Sequence, residues 1–291
     1  MSSAQIATLF ALCANLCFSI STIYFSILSK KNGTLWINSL KTGIAFICFA
    51  ALFLISPSDI FVQASLFFFF SGIIGLGIGD IFLIKAFEEL GPSRTLILFS
   101  FQPIVFLIVD SFLLNIHLSS ANIISVSLFI LCILLFSRES INQNKDWNLK
   151  GIYIALTGIF LDGTGLFLTK KGFIATRLDG VSANFIRCFG AVLVYFLISR
   201  FRPIQLREKF LALDPDLRKK AIIFSFTGAF LSLFLYLNAI KLGALSVVTA
   251  ISVTGPIFTT IFESIILKRP PTKTLYFCLI LFLSAFLINN L

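Results

Sequence analysis

The chain has 291 residues, 58% of them hydrophobic and only 12% charged, with 36 Phe and a mean hydropathy of +1.00. Soluble domains carry about 25% charged residues, so this composition excludes a chain that could cover itself with polar surface and specifies a polytopic membrane protein. The net charge of +10 lies in short stretches between apolar runs, the pattern of the positive-inside bias; no basic face able to track phosphates results, and no nucleic-acid partner is expected.

Apolar runs near the spanning length of about 20 residues predict ten helices, at 5–28, 35–55, 65–89, 94–115, 119–137, 151–169, 180–199, 220–241, 245–267 and 272–290. The first lacks a preceding basic region and reaches Leu28, too long for the apolar region of a cleaved signal peptide. The runs are too continuous for the alternation of a barrel. Most connections are short and carry Gly33, Pro57, Gly91-Pro92 or Pro270-Pro271. Two are longer: 138–150 divides the chain into expected units of 1–137 and 151–291 with a linker between, and 200–220 has room for a short surface helix. Odd-numbered loops carry 16 basic residues and even-numbered loops 4, which places odd loops in the cytoplasm and both termini outside.

The six cysteines all fall inside apolar segments with no CxxC pair and read as small buried hydrophobes. His117 is the only histidine and lies in a loop. No metal, cofactor or disulfide is expected. Neither a zinc-hydrolase HExxH nor a serine–histidine arrangement occurs, so no catalytic residue is assigned and the chain does not read as an enzyme.

Several features recur in the same order. "LSKK" (Leu28 to Lys31) ends the first helix and "LTKK" (Leu168 to Lys171) the sixth. Asn38 and Lys41 open the second helix as N-x-x-K; Asn184 and Arg187 open the seventh as N-x-x-R. "AFEELG" closes the third helix and "AIKLG" the eighth; Pro103 with Asp110 and Pro256 with Glu263 follow at equal spacing. Ordered self-similarity of this kind indicates an internal duplication. Five helices per copy is an odd number, so the fold class is an all-α membrane protein with ten transmembrane helices in two inverted five-helix repeats, the arrangement of many secondary transporters.

These residues resemble the drug/metabolite transporter superfamily in its EamA-type ten-helix form. The resemblance rests on the tandem units, the early basic residue of each second helix (Lys41, Arg187), the small-residue turn after each third helix (Gly91; Gly243-Ala244), the proline of each fourth helix and the acid towards its end. It spans nearly the whole chain and implies a permease in a bacterial-type plasma membrane. Two departures stand out: Asp110 occupies a position where the family commonly shows glutamate, and family members are usually drawn with both termini inside.

Lys41 and Arg187 lie about two turns inside their helices, where a basic residue costs roughly 2.5–3.5 kcal/mol on insertion scales. Either each snorkels to the interface, or each lines a cavity, with Asn38 and Asn184 on the same face. Lys41 shares its depth with Glu263 and Arg187 with Asp110, which predicts two cross-copy couplings, as direct pairs or water-linked gates; the alternative is that each acid caps local packing or faces headgroups. Asp162 in "FLDGTGLF" is a mid-membrane carboxylate among glycines at 158, 163 and 165, a substrate or proton site by default or an internal hydrogen-bond anchor. "SGIIGLGIGD" (71–80) reads as close helix packing through Gly75 and Gly79, with Asp80 beside the cavity and Lys85 and Glu89 as an interfacial pair. Pro103 and Pro256 are candidate hinges, and Gln102 is a polar group within reach of a ligand. The expected function is a secondary transporter of a small polar metabolite, carboxylate-bearing such as an amino acid or organic acid, or of a drug-like solute. Its partners are the solute, the bilayer and a proton as candidate coupling ion, in a monomer or homodimer. A lipid-handling or channel-like protein is the alternative, although neither a selectivity loop nor an oligomeric ring is visible.

Overall fold

A computed structural model of the chain describes residues 2–56, 62–90, 95, 98–99, 101–143, 148–176, 178–252, 254–255, 257–259, 261–262 and 273–290. Helix α1 spans Ser3–Asn32 and opens on a capping box, in which the Ser2 hydroxyl accepts from Gln5 N and Gln5 Oε1 accepts from Ser2 N. Gly33 alone separates it from α2 (Thr34–Ile55), at a φ of +95°, a backbone conformation open to glycine at little cost. Next come α3 (Ser65–Leu90), α4 (Gln102–Leu113) and α5 (Ser120–Gln143). The second half holds α6 (Leu149–Ala175), α7 (Gly180–Phe201), α8 (Pro215–Leu242), α9 (Leu245–Ser252) and α10 (Lys273–Asn290), with the expected short surface helix at Leu206–Leu211. Helices α1, α2, α3, α6, α7 and α8 are long and apolar enough to cross a membrane. The other expected spans appear as shorter apolar helices among the described residues, so six of the ten are of full crossing length.

Two departures from regular α-helix were not legible in the sequence. The middle of α3, Gly72–Gly79, and the middle of α8, Phe226–Leu231, are π-helical. They fall at equivalent places in the two copies, and π-turns of this kind mark functional segments. The end of α4, Val109–Leu113, is π-helical as well.

The strongest packing runs between the copies rather than within them. Helix α1 packs on α8 and α6 on α3; α2 packs on α7, α4 on α9 and α5 on α10. Exchanging the copies leaves this set of partners unchanged, as a two-fold relation requires. At the α5–α10 crossing two thiols bond reciprocally to backbone carbonyls. Cys132 Sγ donates to Cys278 O at 3.0 Å, and Cys278 Sγ donates to Cys132 O at 3.4 Å.

Glycines permit the close approach of α3 to α6 and α7. A Cβ at Gly72 would fall 1.9 Å from the carbonyl oxygen of Arg187, and one at Gly165 would fall 2.9 Å from Gly75 Cα. The packing expected of 71–80 is therefore what the fold contains, with a π-turn in place of the regular helix. The abundant phenylalanine is divided between interior clusters and the outside, where Phe112, Phe160 and Phe201 are 78%, 73% and 88% exposed on faces that meet acyl chains in a bilayer.

Candidate functional site

A cavity of about 150 Å³ lies between the two copies. Helices α3 and α8 line it with equivalent positions, Leu76 with Ala229, Asp80 with Leu233 and Leu83 with Tyr236, each pair 153 residues apart. Phe99 and Ser252 form a fourth pair at the same spacing. Asn15, Lys41, Thr42, Gln102 and Asp162 complete the polar part of the wall.

Lys41 is 4% exposed, and its Nζ meets Asp80 Oδ2 at 2.6 Å. Lys41 is placed in the cavity wall and not on the outer surface. Its acid comes from its own copy, whereas the expected partner Glu263 lies outside the described residues. The π-turn explains the pairing: Asp80 follows it directly, and the wider turn sets the register of the carboxylate towards α2. Asn38 does not hold the ammonium group; its Nδ2 donates to Asp80 O at 3.1 Å. Asn184 repeats the bond in the other copy, donating to Leu233 O at 3.1 Å. Each asparagine therefore fastens the second helix of its copy to the third, just past the π-turn.

Arg187 is 1% exposed. Its Nε donates to Ser71 Oγ at 3.0 Å, and Ser71 in turn contacts Gly165 O at 2.7 Å and Thr169 Oγ1 at 2.6 Å. Arg187 Nη1 has no hydrogen-bond partner. Arg187 and Asp110 make no direct pair. Asp110 is fully buried and accepts from Leu245 N at 3.2 Å, Ser246 N at 2.8 Å and Ser246 Oγ at 2.7 Å. The unsatisfied N–H groups and positive dipole end of α9 hold that carboxylate, so the capping alternative describes Asp110, with the cap reaching across the copies.

Asp162 lines the cavity and accepts from Gln102 Nε2 at 2.9 Å. Pro103 sits in the first turn of α4, two residues after the turn residue Phe101, where its missing N–H costs nothing. Pro256 lies outside the described residues. Asn15 Nδ2 donates to Ile251 O at 2.7 Å and Thr254 Oγ1 at 3.1 Å, and Ser19 Oγ donates to Gly255 O at 3.2 Å, so the polar face of α1 satisfies the end of α9. The expected pair at the end of α3 is present and larger, with Lys85 Nζ 2.8 Å from Glu88 Oε2 and 3.7 Å from Glu89 Oε1. Glu88 also accepts from Ser29 and Thr34.

Sequence alone does not single out Lys170, which is 6% exposed and whose Nζ donates to Ile240 O at 2.7 Å and Gly243 O at 2.6 Å. Lys241 Nζ donates to Leu178 O at 2.8 Å. With Asp110 these bonds tie the ends of α4, α6 and α8 and the start of α9 on the side of the even-numbered loops. Tyr195 was missed as well; its hydroxyl donates to Leu76 O at 2.8 Å and Gly77 O at 3.0 Å inside the π-turn. No motif marks either residue, because both bind carbonyls that only the folded helices bring near.

The cavity thus holds a self-compensated ion pair and one further carboxylate, enclosed by the two copies. The EamA-like transporter family model matches the chain twice, over residues 5–138 and 149–291. The chain belongs to the EamA-like transporter family. As a member of this EamA-like family it is a multi-pass integral membrane protein of the transporter type, and the two matches coincide with the two copies. A solved crystal structure is similar over 98% of both chains with a TM-score of 0.78 at 13% identity, a likeness of fold alone. No curated protein matches the sequence.

Proposed function

We propose that this EamA-like chain is a secondary transporter that moves a small, ammonium-bearing metabolite, such as an amino acid, by alternating access between two inverted halves. The charge of the cavity carries the reading. Lys41 and Asp80 neutralise each other, while Asp162 accepts from a neutral amide and has the Arg187 guanidinium only as a charge neighbour, with no hydrogen bond between them. A carboxylate in a largely apolar enclosure is costly unless a cation or a proton completes it. An ammonium group of the solute fills that role during one half of the cycle and a proton during the other, which makes the proton the coupling ion. A cavity of about 150 Å³ is below the ~300–1,000 Å³ of pockets for drug-sized ligands and favours a small metabolite. The two-fold relation of the halves supports rocking of one against the other around a fixed site, and one chain encloses the whole cavity, so a monomer suffices.

Thermal unfolding of the purified protein with a panel of amino acids, simple amines and organic acids tests the reading. Ammonium-bearing solutes should stabilise the wild type and lose that effect in Asp162→Asn, while acids without an amine do nothing. Stabilisation that persists unchanged in Asp162→Asn removes Asp162 from the site. Counterflow in liposomes separates carrier from channel, because only a carrier exchanges faster when solute is present on both sides.

A further inference from the structure

Each copy builds the same local frame. In the first, Asn38 Nδ2 donates to Asp80 O, and Lys41 Nζ reaches the carboxylate of that same residue at 2.6 Å. In the second, Asn184 Nδ2 donates to Leu233 O, and Arg187 stands where Lys41 stands. Leu233 therefore occupies the place of Asp80, and the second frame lacks its acid. Arg187 is left 1% exposed with Nη1 unpartnered, although a buried donor without an acceptor is destabilising. Leu233, Asp162, Tyr236 and Asp80 line the cavity; Arg187 is not itself a lining residue but stands behind that wall on Ser71, with Asp162, Tyr236 and Asp80 among its charge neighbours.

We propose that the carboxylate of the transported solute supplies this missing acid, docking against Leu233 and accepting from Arg187. The proposal rests on the reading of the cavity as the solute site and narrows the solute to a zwitterion. A guanidinium presents paired N–H donors matched to a carboxylate, and Asp162 takes the ammonium end. An α-amino acid carries both groups on one carbon. The two copies then hold equivalent ion pairs, one built in and one completed by the cargo.

Leu233→Asp tests this without any solute. A lone acid in place of a buried leucine ordinarily destabilises; here it should pair with Arg187 and raise the unfolding midpoint of the purified protein by several degrees. The uncharged Leu233→Asn should lower it, and Leu233→Asp combined with Arg187→Gln should lower it too. If Arg187→Gln does not accumulate, the Asp-against-Asn comparison at 233 decides alone. Equal falls for Asp and Asn, or a rise that survives Arg187→Gln, overturn the proposal. Glycine serves as the probe in a second arm: Leu233→Asp should abolish glycine stabilisation of the wild type. Stabilisation by glycine retained in Leu233→Asp sinks the Arg187 site while leaving the cavity reading intact, and absence of any solute effect on the wild type sinks the cavity reading while leaving the midpoint comparison to stand or fall separately.

Discussion

Lys41 and Asp80 have 5% and 15% of their side chains exposed, so the pair is buried enough that its halves are not interchangeable with water. Removing one partner of such a pair costs about 3–5 kcal/mol, whereas replacing both with apolar residues is often neutral. Lys41→Met should therefore destabilise strongly, and Lys41→Met with Asp80→Leu should recover most of the loss, as read from denaturant unfolding in detergent; a double variant no better than the single would mean the two residues act separately. The basic residue was legible because a cation inside a 20-residue apolar run is conspicuous, and so was Asp162. The partner of Lys41 was not. Reading depth from helix position assumes 3.6 residues per turn, and the π-turn at Gly72–Gly79 breaks that count just before Asp80. The bonds of Asp110 were not legible for a related reason: a carboxylate at a helix end has two possible partners, a distant cation or nearby free N–H groups, and spacing along the chain cannot choose between them.

The contact of α3 with α6 and α7 is written in glycine. Gly72→Ala places a methyl 1.9 Å from the Arg187 carbonyl oxygen, a backbone atom that cannot yield, so the variant should fall at or beyond the 1–3 kcal/mol typical of overpacking. Gly43→Ala is the control. Nothing lies within 4 Å of a Cβ there, and inside α2 the change should be silent or stabilising by up to about 1 kcal/mol. Expression and unfolding midpoints of the two variants check both expectations, and equal behaviour would remove the steric account. The Gly75-x-x-x-Gly79 spacing announced close packing well before its partner helices were known. It could not announce the π-turn, because the same glycines fit either helix.

Across the whole molecule, Lys170, Lys241 and Asp110 bind backbone groups at or near helix ends on the side of the even-numbered loops, with bonds of 2.6 to 3.2 Å. In the proposed alternating-access cycle, opening on that side would part these bonds. In a background freed of native cysteines, Lys170→Met should speed labelling of Ser252→Cys by an impermeant maleimide applied to that side; an unchanged rate would mean that Lys170 is no part of the closure. The duplication was readable because polar residues embedded in apolar runs are sparse enough for their order to stand out. The pairing of halves was not, since Leu, Ile and Phe faces look alike whichever helix covers them. The pairing of helices across the copies carries one last implication. Helix α2 meets α7, α4 meets α9 and α5 meets α10 as each would meet its own twin across an isologous interface. A half-length ancestor would have found the same contacts with a second molecule of itself, so the present fused architecture has the geometry of a former dimer joined end to end.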